Sequence, residues 1–129
     1  MSQNVLLIDD SPALHRLVET RLEGEALALH VASDGLTGIE MARDLRPDLI
    51  LLDIEMPTLS GEHVLDFTKL FDFLRATPIV LHSSKKEEDL QSLVARSHAI
   101  GYIKKTGNPM SLVAQVKSFL APRNPDVAS

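Results

Sequence analysis

The chain has 129 residues, 44% of them hydrophobic and 24% charged, the make-up of one ordinary globular domain and not of a disordered or fibrous chain. Its net charge of −5 argues against direct nucleic-acid contact, which needs clustered positive charge, and no apolar run nears the roughly 18 residues of a membrane span. With no cysteine, it has no disulfide, thiolate nucleophile or Cys-based zinc site.

Met1-Ser2-Gln3-Asn4 runs straight into apolar residues without the basic start or cleavage site of a signal peptide, so a cytoplasmic protein is expected. Short apolar runs then alternate with longer segments of helical period, the pattern of βα units around a parallel sheet. Val5 to Ile8 forms a first strand, and Leu14, Leu17, Val18 and Leu22 mark a first helix face that Gly24 ends. Leu27 to Val31 is a weaker strand, followed by a helix with Leu36, Ile39, Ala42 and Leu45 on one face, ended by Arg46-Pro47. Leu49 to Leu52 is apolar throughout, as a central parallel strand buried on both faces must be. After Ser60-Gly61, a third helix presents Val64, Phe67, Phe71 and Leu74.

Ile79 to Leu81 is again a central strand, and Ser84-Lys85-Lys86-Glu87 has the capping pattern that opens a fourth helix carrying Leu90, Leu93 and Val94. Ile100 to Ile103 is a weaker strand, placed with Leu27 to Val31 towards the sheet edges. Asn108 as N-cap and Pro109 at the first helical position open the last helix, with Leu112, Val113, Val116, Phe119 and Leu120 as its stripe. Residues 122–129, beginning Pro122-Arg123-Asn124-Pro125, read as a short disordered tail after a domain of residues 1–121. Five βα units with right-handed crossovers give an α/β three-layer αβα sandwich, in which ligands bind beyond the carboxyl ends of the strands.

Polar residues gather at that edge. Strand one ends in Asp9-Asp10, strand three in Asp53, strand four in Ser83 and strand five in Lys104-Lys105. Converging carboxylates repel one another unless a cation or ammonium sits among them, and a hard oxygen set with room for water suits Mg²⁺, with Mn²⁺ as substitute. Beside such a cation, Asp53 has the chemistry of a nucleophile towards a phosphoryl group, and the Ser83 hydroxyl that of a donor to a phosphoryl oxygen. Each piece has a plainer meaning alone: Asp9-Asp10 as a solvated turn, Ser83 as a helix cap like Ser84, Tyr102 as a half-buried strand residue. Asp53 resists such a reading, because Asp is depleted in strands and here follows four apolar residues. His15, His30, His63, His82 and His98 lack metal-ligand spacing and read as packing or surface residues.

The acidic pair after "NVLLI", the "DLILLDIEMPTLSG" segment with Asp53, Met56, Pro57 and Gly61, the "TPIVLHSS" strand with Ser83, and "GYIKK" with Lys105 stand in order at family spacing. On these residues the chain resembles a receiver domain of bacterial response regulators, the CheY-like family, over residues 4 to 121. The resemblance implies a flavodoxin-like sheet of order 2-1-3-4-5. It also implies Mg²⁺ on Asp10, Asp53 and the backbone carbonyl of Glu55, Asp9 acting mainly through metal-bound water, Lys105 rather than Lys104 pairing with the phosphoryl group, Ser83 as switch hydroxyl, and Tyr102 as an aromatic that rotates with it. The implied surface for partners is the fourth helix, fifth strand and fifth helix. The implied partners are a histidine kinase or histidine phosphotransfer protein as donor and a downstream protein target, with the chain a monomer or weak dimer.

One family feature is missing: Lys105 precedes Thr106 where the family has a proline after a cis bond, so a trans bond and a differently shaped Thr106-Gly107-Asn108 loop are expected. Glu55 and Lys85, flanking the route of water to a phosphoaspartate, are expected to pair and, with Ser84 alongside, to modulate the lifetime of that state. With no further domain expected after the last helix, output is through protein contact, and no turnover of an external substrate is expected. The alternative is a pseudo-receiver that binds its partner constitutively. A nucleotide cofactor is disfavoured because no Gly-rich loop follows strand one.

Overall fold

The computed structural model describes residues 3–12, 16, 27–56, 61–105 and 109–120. Five strands, β1 (Gln3–Ile8), β2 (Leu27–Ala32), β3 (Leu49–Asp53), β4 (Ile79–Ser83) and β5 (Ala99–Lys104), alternate with helices α1 (Gly35–Leu45), α2 (Gly61–Phe67), α3 (Asp72–Arg75), α4 (Glu87–Ala95) and α5 (Pro109–Phe119). The strands form one parallel sheet in the order β2-β1-β3-β4-β5. The face of the expected first helix, residues 57–60 with the motif residue Pro57, the Thr106-Gly107-Asn108 loop and the tail after Leu120 lie outside the described residues.

Burial explains the order. β3 and β4 are buried at every position, so only the middle of the sheet suits them, whereas β2 is half-buried along most of its length and takes an edge. One face of the sheet packs Leu6, Ile8, Ile50, Leu52 and Leu81 against Ala42 of α1, Val64 and Leu65 of α2, Leu74 of α3, and Leu90 and Leu93 of α4. The other face packs Val5, Leu7, Leu49, Leu51, Val80 and Ile103 against Leu112 and Val116 of α5. Two glycines permit the closest approaches: a Cβ on Gly38 of α1 would lie 2.5 Å from Ile8 Cδ1, and one on Gly101 of β5 would lie 2.6 Å from the Phe119 ring.

Three expectations about helices are corrected. The face of α1 is built from Gly35, Gly38 and Ala42, with Ile39 half-buried and Leu36 exposed, because the helix lies too close to β1 for large side chains. Its N-cap is Asp34, whose carboxylate accepts from the Thr37 N–H at 2.8 Å, and Arg46, in the left-handed region at φ 47°, closes it ahead of Pro47. The stripe Val64, Phe67, Phe71, Leu74 is divided between two short helices: turn bonds from the Thr68 and Lys69 N–H to Leu65 O and Asp66 O end α2, and α3 starts only at Asp72. Finally, α4 has Lys86 as N-cap with no capping side chain, and Ser84 is used elsewhere. Glu87, Glu88 and Asp89 in its first turn answer the helix dipole instead.

Candidate functional site

Among the described residues the buried polar side chains are Asp9, Asp53, Thr68, Thr77, His82 and Ser83. The two threonines satisfy themselves locally by donating to Leu65 O and Phe73 O. The other four stand at the carboxyl edge of β1, β3 and β4, so the burial of polar groups, which is costly without partners, is concentrated where a parallel sheet binds ligands.

Parallel pairing places them. β3 is flanked by β1 and β4, with Ile8 opposite Leu52 and Asp53 opposite His82. Asp9, one residue past β1, therefore comes level with Asp53. Each carboxylate is fixed by its own backbone: Asp9 Oδ1 accepts from the Ser11 N–H at 2.8 Å, and Asp53 Oδ1 from the Glu55 N–H at 2.9 Å. Asp9 and Asp53 are buried, at 0% and 1% exposure, whereas Asp10 is exposed. One carboxylate oxygen from each of the three lies within 4.8 Å of the others.

Lys105, just after β5, reaches into this group. Its Nζ lies 3.1 Å from Asp53 Oδ1 and 3.7 Å from Asp9 Oδ2. Burial pulls its pKa down, but Asp9 and then Asp53 outweigh that and hold it above the ordinary lysine value. Lys104 points elsewhere, its Nζ donating to the backbone carbonyl of Lys85 at 2.7 Å, so of the two lysines Lys105 occupies the pocket. One ammonium against three carboxylates leaves excess negative charge, and the donor set is hard oxygen with an open side at Asp10; both fit Mg²⁺.

Ser83, fully buried at the end of β4, is held on three sides. Its Oγ donates to Glu55 Oε1 at 2.7 Å, the same Oγ accepts from the Lys85 N–H at 3.0 Å, and its carbonyl accepts from the Lys105 N–H at 2.9 Å. The exposed Ser84 donates to both Glu55 oxygens, at 3.1 and 3.0 Å. The hydrogen bond from Ser83 lowers the Glu55 pKa first and foremost, burial opposes it, and Ser84 and the nearby Lys105 lower it further. The expected Glu55–Lys85 ion pair is not formed, because the two serines take the carboxylate instead. Tyr102 is half-buried, with its hydroxyl donating to Glu87 Oε1 at 3.3 Å and accepting from Gln91 at 3.5 Å, so its tip lies along α4 and away from the acidic group.

The sequence marks His82 as a packing or surface residue, and the structure gives it a further role. It is 4% exposed, its Nδ1 lies 4.0 Å from Asp9 Oδ2 with no hydrogen-bond partner, and burial followed by the charge of Lys105 pushes its pKa down to about 4. It is thus a neutral imidazole at the back of the acidic group. The signal for it was strand alternation, which puts His82 on the face opposite Ser83, the face of Asp53.

The geometry has counterparts in known proteins. A family model described as the response regulator receiver domain matches residues 5–117. The DNA-binding response regulator MtrA of Mycolicibacterium smegmatis is 34% identical over 126 residues, covering 98% of this chain and 54% of that protein. The transcriptional regulatory protein SrrA of Staphylococcus aureus is 35% identical over 120 residues, covering 93% of this chain and 48% of that one. The chain spans about half the length of these relatives. Among solved structures, chemotaxis protein CheY4 of Vibrio cholerae superposes with a TM-score of 0.83 at 23% identity, over 93% of this chain and 100% of that one, a likeness of fold alone. The Mn²⁺-bound form of response regulator Rcp1 does so with a TM-score of 0.77 at 28% identity, over 91% and 93% of the two chains. Sheet order, site and sequence agree: this chain belongs to the response regulator receiver domains, the signalling modules of two-component systems.

Proposed function

We propose that the chain is a phosphorylation-controlled switch in which Asp53 takes a phosphoryl group from a phosphohistidine of a kinase or phosphotransfer protein. The observation that carries this is the buried Asp53 carboxylate held between Asp9 and Lys105 at the sheet edge. Asp53 Oδ1 is engaged by the Lys105 ammonium and the Glu55 N–H, which leaves the second oxygen to attack phosphorus. The O–P bond forms as the P–N bond to the donor histidine breaks, and the imidazole leaves neutral, its ring nitrogen taking up a proton from solvent water.

Receiver domains bind Mg²⁺ at an acidic pocket; here Asp10, Asp53 and the Glu55 carbonyl would hold it, with Asp9 acting through a bound water. The cation would neutralise phosphoryl oxygens and so favour the transfer. Lys105 supplies the second positive charge. Ser83 donates to a phosphoryl oxygen once the group is present, and Tyr102 follows it, altering the α4–β5–α5 surface that a protein target reads. The Mn²⁺ in the related Rcp1 structure supports a divalent cation. The descriptions of MtrA and SrrA as DNA-binding and transcriptional belong to chains about twice as long; we assign DNA contact to none of the residues here, whose net charge is −5. Among the described residues no helix is long and apolar enough to cross a membrane, and we place the switch in the cytoplasm.

The test is intact mass after incubation with a small acyl phosphate, with and without Mg²⁺, for the wild type and Asp53→Asn. One Mg²⁺-dependent phosphoryl adduct, absent from the variant, is expected. A protein that takes up no phosphoryl group from any donor refutes the reading. It would favour a pseudo-receiver that binds its partner constitutively, to which the engagement of Ser83 by Glu55 already lends support.

A further inference from the structure

The Ser83 hydroxyl is already in use. A hydroxyl has one proton to give, and that of Ser83 goes to Glu55 Oε1 at 2.7 Å while its oxygen accepts from the Lys85 N–H. A phosphoryl group on Asp53 needs the same proton. Both acceptors are anionic, so the two bonds are of comparable, charge-assisted strength and exclude one another. Glu55 also stands two residues from Asp53, where its negative charge opposes an incoming phosphoryl group.

We propose that Glu55 is a positioning residue whose carboxylate clasps the Ser83 hydroxyl in the unphosphorylated arrangement and sets the threshold at which the phosphoryl group captures it. The proposal rests on the reading of Ser83 as the hydroxyl that donates a hydrogen bond to the phosphoryl group. Ser84 completes the device: it donates to both oxygens of the same carboxylate, so when Ser83 rotates away Glu55 keeps a partner. The clasp is therefore a change of one hydrogen bond at an exposed carboxylate that keeps another partner, which makes it reversible. Lys85 closes it from the other side through its backbone N–H, tying the start of the loop before α4 to the state of Ser83.

The test titrates the full chain with beryllofluoride and Mg²⁺, an inorganic mimic of the phosphoryl group, and follows the backbone amides of residues 83–85 by NMR. Glu55→Ala, which keeps the backbone carbonyl, should lower the half-saturating beryllofluoride concentration roughly ten- to hundredfold, the range for losing a competing hydrogen bond to a charged group. Glu55→Gln, which keeps an acceptor oxygen but not the charge, should fall between. In a Ser83→Ala background the gain from Glu55→Ala should shrink, because nothing is left to release. An equal gain in both backgrounds reduces Glu55 to a charge effect and overturns the clasp, as does no gain in either.

If the wild type binds no beryllofluoride and takes up no phosphoryl group, the reading of the site as a phosphoryl acceptor has failed, and the clasp is decided in the untreated protein. There the Lys85 amide proton, whose acceptor is the Ser83 oxygen polarised by Glu55, should shift in Glu55→Ala and far less in Ser84→Ala. An unmoved Lys85 amide overturns it.

Discussion

Replacing Lys105 by Met tests whether the ammonium is what allows Asp9 and Asp53 to stay buried side by side. Met keeps most of the apolar stem and removes only the charge. The Nζ stands 3.1 Å from Asp53 and 3.7 Å from Asp9, and at an effective dielectric near 20 each contact amounts to roughly 5 kcal/mol of gross attraction. Much of that is offset by the cost of desolvating the ammonium, which the variant no longer bears. What remains is the penalty of two buried carboxylates left facing each other, about 2–4 kcal/mol at neutral pH. For a chain of this length that lowers the melting temperature by roughly 10 °C.

The diagnostic part is its dependence on the metal. In a chelator the full loss should appear; in millimolar Mg²⁺ it should shrink by at least half, because the dication takes over the neutralisation and no longer competes with Lys105. Melts of wild type and variant, each in chelator and in Mg²⁺, give the four numbers. Equal losses in both media, or no loss in chelator, would refute the reasoning, since Lys105 would then contribute packing or nothing.

Two further predictions concern the same framework. Because the folded pKa of His82 is about 4, below its ordinary 6.5, the unfolded chain binds more protons between these values; stability is complete above about pH 6.5 and falls as pH drops towards 4. The loss is about 2 kcal/mol from pH 7 to 5; urea unfolding of the metal-free protein reads it, and His82→Leu should remove that share of the slope, an unchanged slope counting against burial as its cause. At Gly38, alanine adds roughly 1 kcal/mol of helix propensity, but its Cβ would lie 2.5 and 2.8 Å from two atoms of Ile8, itself 1% exposed, and overpacking costs about 1–3 kcal/mol. Gly38→Ala should therefore lower the thermal midpoint by a few degrees, and a raised midpoint would show that β1 yields easily.

The parts of the fold legible in the sequence are those set by strand burial. The runs Val5 to Ile8, Leu49 to Leu52 and Ile79 to Leu81 within β1, β3 and β4 are apolar throughout, so they belong inside the sheet, and the weaker β2 and β5 take its edges. The polar edge followed from the same runs, because a strand that stays apolar until Asp9, Asp53 or His82-Ser83 must deliver those residues where the sheet ends. Helix contacts were less legible wherever small residues make them: Gly35, Gly38 and Ala42 carry the contact of α1 while Leu36 is exposed at 61%, a reversal that side-chain size alone conceals. Nothing between Glu62 and Ala76 is Gly or Pro, so the interruption after Phe67 had no breaker to announce it; local turn bonds and the Thr68 hydroxyl on Leu65 O make it.

The direction of Glu55 had no periodic signal at all, since it lies beyond β3, and charge alone favoured Lys85 as its partner. Two nearby hydroxyls prevailed because Ser83 is fully buried and its hydroxyl must find an acceptor, whereas an exposed ion pair gains little against water and side-chain entropy. Satisfying a buried donor thus outranked pairing a surface charge. The same ranking is what the proposed clasp uses: if Asp53 is phosphorylated, a phosphoryl oxygen replaces the acceptor that holds the Ser83 hydroxyl, and a change in charge at Asp53 becomes a change in hydrogen bonding at the loop before α4.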